Sequence, residues 1–327
     1  MICNVSYSVT THAKDLYQDN RLSSSGLRHK LNSARFVVAN SEFSAAGLQA
    51  AFNGRVPPRI VTIYNSVDLS EFPHRSEEPT EPKILSVGRL VEKKGLGNLL
   101  IACRKLKDWD VRFTCEIIGS GPLKESLADS IIKLGLAHTV KLRGEMPQLE
   151  VRDHYLKAMI FALPCVVAAN GDRDILPNVI KEAMAIGLPV VTTQLDGIEE
   201  LVKHEETGLV VRAGDTEALA KSLRRLLSDR ALRRQLSTQA RKVIEERFDL
   251  NKNFGLLRNL LLEAVGGANH DKGAERSEEV QLSAMIPEEF AKDDAAPAST
   301  GRHTHSSGKQ SGKAEALCSV GTVGNTK

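Results

Sequence analysis

Aromatic residues are scarce, 4% of 327 positions, and the charges nearly cancel, with 44 basic against 41 acidic residues. So few stacking platforms and so small a basic excess argue against nucleic acid as a partner. The five cysteines (Cys3, Cys103, Cys115, Cys165 and Cys318) are scattered and never form a CxxC pair. Neither a disulfide framework nor a zinc site is indicated, and a reducing cytoplasm fits best. No apolar run approaches the roughly 18 residues of a membrane span. Met1 is not followed by the basic region and hydrophobic core of a signal peptide. The pattern GxxxxGK[ST] is absent too, which removes a Walker A loop. What remains is a 41% hydrophobic chain, expected to be soluble and able to bury one large core or two ordinary ones.

Short buried strands alternate with helical patterns along most of the chain. RFVVAN (Arg35 to Asn40) reads as a strand; SEFSAAGLQAAF follows it as a helix with Ser41 as N-cap and Phe43, Leu48, Ala51 and Phe52 apolar, and RIVTIY returns as a strand. HRSEEPTEP, from His74 to Pro82, has two prolines and no apolar period, so it is expected to be a linker or exposed loop. Strands are then predicted at Lys83 to Val87, Val111 to Ile118, Val140 to Leu142, Ile160 to Leu163, Leu188 to Thr193 and Thr207 to Val211. Helices fall between them, around Leu149 to Lys157 for example, and DGIEELV reads as a turn and helix. Asp215 caps a helix, and two more are expected at about Ala231 to Phe248 and Asn251 to Val265. This order implies a mostly parallel sheet covered on both faces, with ligands at the carboxyl ends of its strands. From Gly266 onward Gly, Ala, Ser, Lys and Glu dominate, and disorder is expected; the tail histidines His270, His303 and His305 read as part of a polar tail rather than a metal site.

The stretch GDRDILPNVIKEAMAIGLPVVTT, Gly171 to Thr193, packs a loop, a helix start and a buried strand together. Pro177 suits the first helical turn, and Gly187 with Pro189 marks the stop, so the helix spans about Asn178 to Ile186. Its open amides and positive dipole end make a site for phosphate or another anion. Glu182, with Asn178, marks a polar side opposite Val179, Ile180, Ala183 and Met184, and a carboxylate there can accept from two neighbouring sugar hydroxyls. An ordinary βα crossover with a capping Asp174 and a solvated Glu182 would carry the same letters.

Asp174 and Glu182, with seven residues between them, resemble the donor-binding signature of retaining GT-B glycosyltransferases of family 4 (group 1). Asp174 stands where that family normally has Glu. A second match is GRLVEKKG, Gly88 to Gly95, where the resemblance implies that Arg89 and Lys94 reach the donor diphosphate. Two cations at a strand end can neutralise a diphosphate leaving group, although a solvated basic loop fits the letters as well. GSGP at Gly119 to Pro122 allows a tight turn, and the family places the nucleotide base near it. IYNSVDLSEF, Ile63 to Phe72, is similar to the family's interdomain crossing with Ser66 for the common Gly. Ala158-Met159 and Cys165 stand where Ala-Asp and Ser are common. THAKDLY, Thr11 to Tyr17, is similar to the segment carrying a His near the donor phosphate, which makes His12 a candidate polar or acceptor-side contact, against an ordinary surface His.

The resemblance covers most of residues 10 to 265 and implies an α/β GT-B architecture. Residues 1–72 would form a partial N-terminal acceptor-side Rossmann-like domain, 73–82 a linker, 83–265 a complete nucleotide-sugar-binding Rossmann-like domain with terminal crossover helices, and 266–327 a disordered tail. Gly88, Gly119, Gly121, Leu176, Pro177, Asn178 and Glu182 would hold the donor; Arg89, Lys94, Asp174 and His12 would serve the transfer. The implied partners are a nucleotide-sugar donor and a sugar or lipid-linked acceptor, with peripheral contact at the inner membrane face left open. No cofactor or metal is implied; DWD at Asp108 and DRD at Asp172 match an acidic metal motif only formally. Only residues 1–64 precede the crossing, against about 100 to 150 for a typical domain. The expectation is therefore that the true start lies upstream of Met1, that this is a gene fragment, or that a partner chain completes the first domain. The implied activity is retaining sugar transfer in polysaccharide or glycoconjugate synthesis; the competing class is a noncatalytic remnant or partner subunit that binds a nucleotide without transfer.

Overall fold

A computed structural model describes residues 7–12, 25–52 and 59–266, all within one compact unit, Met1–Lys272. The expectations for residues 13–17, for Cys3 and Cys318, and for the tail with its three histidines lie outside the described residues.

Two parallel sheets carry the architecture. The first runs β1 (Val9–Thr11), β2 (Phe36–Ala39), β3 (Arg59–Thr62), with helices α1 (Ser25–Asn32) and α2 (Glu42–Ala51) between its strands. All four residues of β2 are buried and alternate between two cores, as in a strand covered on both sides. Val37 and Ala39 pack with Leu31, Leu48 and Phe52, while Phe36 and Val38 pack with Ile63 and Leu260. Ser41 caps α2 as expected, its hydroxyl accepting from the Ser44 amide at 3.0 Å.

The second sheet holds β4 (Lys83–Val87), β5 (Thr114–Ile118), β6 (Val140–Gly144), β7 (Ile160–Leu163), β8 (Val190–Gln194) and β9 (Leu209–Arg212), in the order β6-β5-β4-β7-β8-β9. Every pairing is parallel. Strand order reverses between β4 and β7, and in such sheets ligands bind in the crevice outside the carboxyl ends at that switch. The helices are α3 (Leu96–Asp108), α4 (Lys124–Lys133), α5 (Gln148–Lys157), α6 (Asn178–Ile186), α7 (Thr216–Ser228), α8 (Arg230–Arg247) and α9 (Leu250–Gly266). One face of the sheet buries Ile84, Ile160 and Ala162 with α3 and α7. The other buries Leu85, Phe161 and Leu163 with Ile180, Met184 and Ile244 of α6 and α8.

The boundaries depart from expectation where helix ends claim residues that look like strand. Leu188 donates to Ala183 and Gly187 to Met184, a paired closure with Gly187 at φ 91°. Leu188 thus finishes α6, and β8 begins only after Pro189. Val111 likewise donates to the Leu106 carbonyl behind Asp110, at φ 53°, so β5 starts at Thr114. DGIEELV yields only a single 3₁₀ turn, Ile198–Glu200. Asp215 and Asp229 cap α7 and α8 by accepting from Ala218 and Leu232.

Two connections tie the sheets together, and they run side by side. Val67 pairs with Asp249 in a parallel bridge, its amide donating to the Phe248 carbonyl at 2.8 Å and its carbonyl accepting from Leu250 at 3.1 Å. Residues 73–82 contain no helix or strand but are pinned. The Arg75 amide donates to Ile186 O, its guanidinium to Ala158 O, and Glu78 pairs with Arg230 and Arg233. Among the described residues, no helix is long and apolar enough to cross a membrane.

Candidate donor site at the switch between β4 and β7

The loops leaving β4, β5 and β7 meet at one end of the second sheet. Gly119 lies so close to Gly88 that a Cβ on it would sit 2.0 Å from the Gly88 carbonyl oxygen, and its φ of 138° favours glycine. Gly88 donates to Ile118 O and Leu90 to Ser120 O, so the two loops are zipped backbone to backbone. Gly121 closes against Leu90 in the same way. Gly88 also makes room for the Lys94 side chain, whose Cε would lie 3.3 Å from a Cβ there.

Glu92–Lys94 forms a one-turn 3₁₀ helix that aims two lysines at the loop after β7. Lys94 Nζ lies 2.6 Å from Asp174 Oδ2, and Lys93 Nζ lies 3.2 Å from Asp174 Oδ1 and 3.1 Å from Asp172 Oδ1. The side chains of Lys94, Lys93 and Asp174 are only 12%, 16% and 17% exposed, so these are partly desolvated pairs rather than a solvated basic loop. Burial alone would push the Asp174 carboxyl up; the Lys94 and Lys93 ammoniums outweigh it and hold the group below the ordinary carboxylate value. Burial lowers Lys93 as well, and Asp174 and Asp172 reverse that to a net rise. Glu92 braces the arrangement, accepting from the Ala169 amide at 3.3 Å. Cys165 lies beneath, Sγ 3.8 Å from Asp174 Oδ2; burial and then Asp174 push its thiol up to about 12, so it stays a thiol.

Helix α6 begins with Pro177 as N-cap (φ −59°, ψ 127°) rather than inside the first turn, and no side chain caps this end. Its first amides therefore face the crevice with the positive end of the dipole. Asp174 does not act as the cap, which removes the capping-Asp alternative. Glu182 is half-buried rather than a solvated face residue: the single Tyr155 Oη proton is shared between its Oε2 at 3.0 Å and the Val179 carbonyl at 3.2 Å. Burial pushes the Glu182 carboxyl up, against the pull of the Tyr155 hydroxyl, Lys181 and Lys94. Leu176 is half-buried, Pro177 buried and Asn178 exposed at the helix start.

Lys94, Asp174, Glu182, Gly88, Gly119, Gly121 and the α6 start thus lie together. Arg89 is exposed at the end of β4, its side chain in no ion pair or hydrogen bond with the described residues. His12 is exposed at the end of β1, with Nδ1 3.4 Å from Asn40 Nδ2. Among the described residues no group of three or more His, Cys, Asp or Glu could hold a metal.

The profile of the family described as Glycosyl transferases group 1 matches residues 68–243, more than half of the chain. The chain belongs to the group 1 glycosyl transferases. The amylovoran biosynthesis glycosyltransferase AmsK of Erwinia amylovora is 41% identical over 179 residues, 55% of this chain and 44% of that protein. A GDP-mannose-dependent alpha-(1-6)-phosphatidylinositol monomannoside mannosyltransferase of Mycobacterium tuberculosis is 31% identical over 194 residues, 58% of this chain and 50% of that protein. The chain therefore spans half or less of the length of these curated relatives. Anabaena Alr3699/HepE, solved in complex with UDP and glucose, aligns with a TM-score of 0.66 at 21% identity, over 78% of this chain and 71% of that one. A glycosyltransferase from Rickettsia africae aligns with a TM-score of 0.66 at 20% identity, over 80% and 71%. At such identities the likeness shows the fold, which is the GT-B arrangement.

Within this group 1 glycosyl transferase, the matched span contains the second sheet and its lysine–carboxylate cluster; His12 lies outside it. Three participants escaped the sequence reading. Lys93 is visible only as the first half of a Lys-Lys doublet, Tyr155 as a lone aromatic in a polar helix, and Lys181 as a charge inside the apolar stretch before Glu182. Only the last carries a readable signal, since a lysine between Ile180 and Glu182 in a helix otherwise rich in apolar residues breaks the amphipathic pattern.

Proposed function

We propose that this chain binds a nucleotide-diphosphate sugar and belongs to a retaining glycosyltransferase that transfers the sugar to a hydroxyl acceptor. The observation that carries the reading is the Lys94–Asp174 pair beside the uncapped start of α6, the helix that carries Glu182, at the strand-order switch. The α6 amides and the Lys94 and Arg89 cations take the diphosphate, Glu182 takes two ribose hydroxyls, and the Gly119–Gly121 turn lies beside the base. Asp174, with the backbone near Leu176 to Asn178, faces the donor sugar, and His12 contributes from the acceptor side.

On transfer, the bond between the anomeric carbon and the diphosphate oxygen breaks, and its electron pair stays with the leaving nucleotide. The acceptor oxygen bonds to that carbon on the same face and passes its proton to the departing diphosphate oxygen. Charge grows on the diphosphate as the bond breaks, so cations already placed there stabilise the transition state more than the ground state. Lys94 is held by Asp174 before the donor arrives, so it is pre-oriented. With lysine and arginine supplying the positive charge, this account needs no metal. The names of the relatives, which refer to amylovoran, colanic acid and a phosphatidylinositol mannoside, support a sugar or lipid-linked acceptor in polysaccharide or glycoconjugate synthesis. Such acceptors would place the protein in the cytoplasm, at the inner face of the membrane.

The alternative is a chain that binds nucleotide without transfer, or that acts with a partner chain completing the acceptor side. Donor hydrolysis and transfer by the purified chain, beside Lys94→Ala and Glu182→Ala, separate the two. Turnover abolished by either substitution supports the enzyme, and tight nucleotide binding with no turnover supports the second reading.

A further inference from the structure

Lys181 is the one lysine with no exposed surface among the described residues, and it lies immediately before Glu182 on the helix proposed to bind the donor. Its ammonium donates to the Asn65 carbonyl at 2.6 Å and sits 5.5 Å from the centre of the Phe248 ring. Asn65 belongs to the outgoing connection between the two sheets and Phe248 to the returning one. A methionine would fill the same slot without desolvating a charge, so the ammonium is a costly way merely to pack α6.

The place it reaches is densely joined. Tyr64 and Phe248 meet as tilted rings with centroids 4.8 Å apart, and the Arg247 guanidinium lies over the Tyr64 ring at 4.9 Å and bonds the Tyr64 hydroxyl. Asn253 Nδ2 donates to Ser66 Oγ, the Arg247 carbonyl and the Tyr64 carbonyl. Arg247 also donates to the Glu200 carbonyl at 2.9 Å, and the Glu200 carboxylate accepts from the Glu42 and Phe43 amides at the start of α2, each at 2.8 Å. A continuous set of polar contacts therefore runs from the paired connections to the first sheet. Lys181 attaches that set to α6.

We propose that Lys181 is a positioning residue that ties the donor helix to the paired connections at Asn65 and Phe248, so that nucleotide bound at α6 stiffens the joint between the two sheets. The inference rests on the donor-site reading above. It assigns Lys181 no contact with the donor; it acts through Asn65 O and the Phe248 ring.

Amide hydrogen exchange on the full chain tests it, with UDP and GDP as probes and Lys181→Met beside the wild type. Nucleotide should slow exchange across Ile63–Val67 and Phe248–Leu250 by about tenfold or more in the wild type and by under about twofold in Lys181→Met. Protection at the start of α6 should persist in both the wild type and the variant. Phe248→Leu, which keeps the charge and removes the ring, should give the same selective loss and stands in if Lys181→Met does not fold. Equal protection of the connections in variant and wild type, or nucleotide that binds the wild type without protecting them, overturns the inference and leaves the donor site standing. Failure of both nucleotides to bind the wild type overturns the donor site and this inference together.

Discussion

Replacing Lys94 with methionine keeps the length of the side chain and removes one of the two ammoniums on Asp174. Truncating one partner of a buried ion pair typically costs about 3 to 5 kcal/mol. Lys93 remains 3.2 Å from the other carboxylate oxygen and the site opens to water on one side, so the expected loss is about 2 kcal/mol of unfolding free energy near neutral pH. The sign with pH follows from Asp174. Its folded-state value lies below the ordinary one, so its contribution is complete above the unfolded value and disappears as pH falls through the folded value. The gap between wild type and Lys94→Met in urea unfolding should therefore be full at pH 7 and shrink steadily below about pH 4. The same substitution should weaken UDP or GDP binding by about 1.5 to 3 kcal/mol, the worth of a hydrogen bond to a charged group, or roughly ten- to a hundredfold in titration calorimetry. A variant with unchanged affinity and a pH-independent stability difference would refute the view that one lysine serves both the carboxylate and the diphosphate.

Gly119→Ala forces a methyl group to within 2.0 Å of the Gly88 carbonyl at a φ that side chains avoid, and should cost about 3 kcal/mol, seen as a lowered denaturant midpoint. Tyr155→Phe removes the hydroxyl from Glu182 and should cost about 1 kcal/mol in stability. It should also raise the Glu182 carboxyl further and weaken nucleotide binding more at pH 5.5 than at pH 8, because the protonated form cannot accept from both ribose hydroxyls. Burial lowers Lys181 to about 7, against the opposing pull of Glu182. The unfolded chain then binds the extra proton between pH 7 and the ordinary lysine value, so wild-type stability should rise with pH across that window by about 2 kcal/mol or more. Lys181→Met should lack that rise; parallel curves for the two proteins would contradict the lowered Lys181 amine.

Much of the second sheet was legible because its strands are short, mostly apolar and buried runs such as KILSV and IFAL, as strands covered on both faces are. The errors lie at helix ends. Leu188 and Val111 look like strand residues, but Gly187 and Asp110, both at positive φ, turn the chain so that they close the preceding helices. DGIEELV has helical letters yet makes one turn, because Gly197 packs against Ile175 and Phe43 and the Glu200 side chain is drawn to the α2 amides. Lys94, Asp174 and Glu182 are singled out by the family resemblance that GRLVEKKG and the Asp174–Glu182 spacing carry. Lys93, Tyr155 and Lys181 could not be assigned in that way. Their partners, Asp172, Glu182 and Asn65, are 79, 27 and 116 residues away in the chain, and only folding reveals that the charges are buried.

A crystal structure of the chain with a bound nucleoside diphosphate addresses the central claim most directly. Phosphate oxygens should lie within hydrogen-bond distance of Lys94 Nζ and the Asn178 and Val179 amides, with the ribose hydroxyls on Glu182 and the base beside Gly119–Gly121. Nucleotide seated anywhere other than the β4/β7 crevice, or there with Lys94 still bound only to Asp174 and Glu182 only to Tyr155, would contradict it.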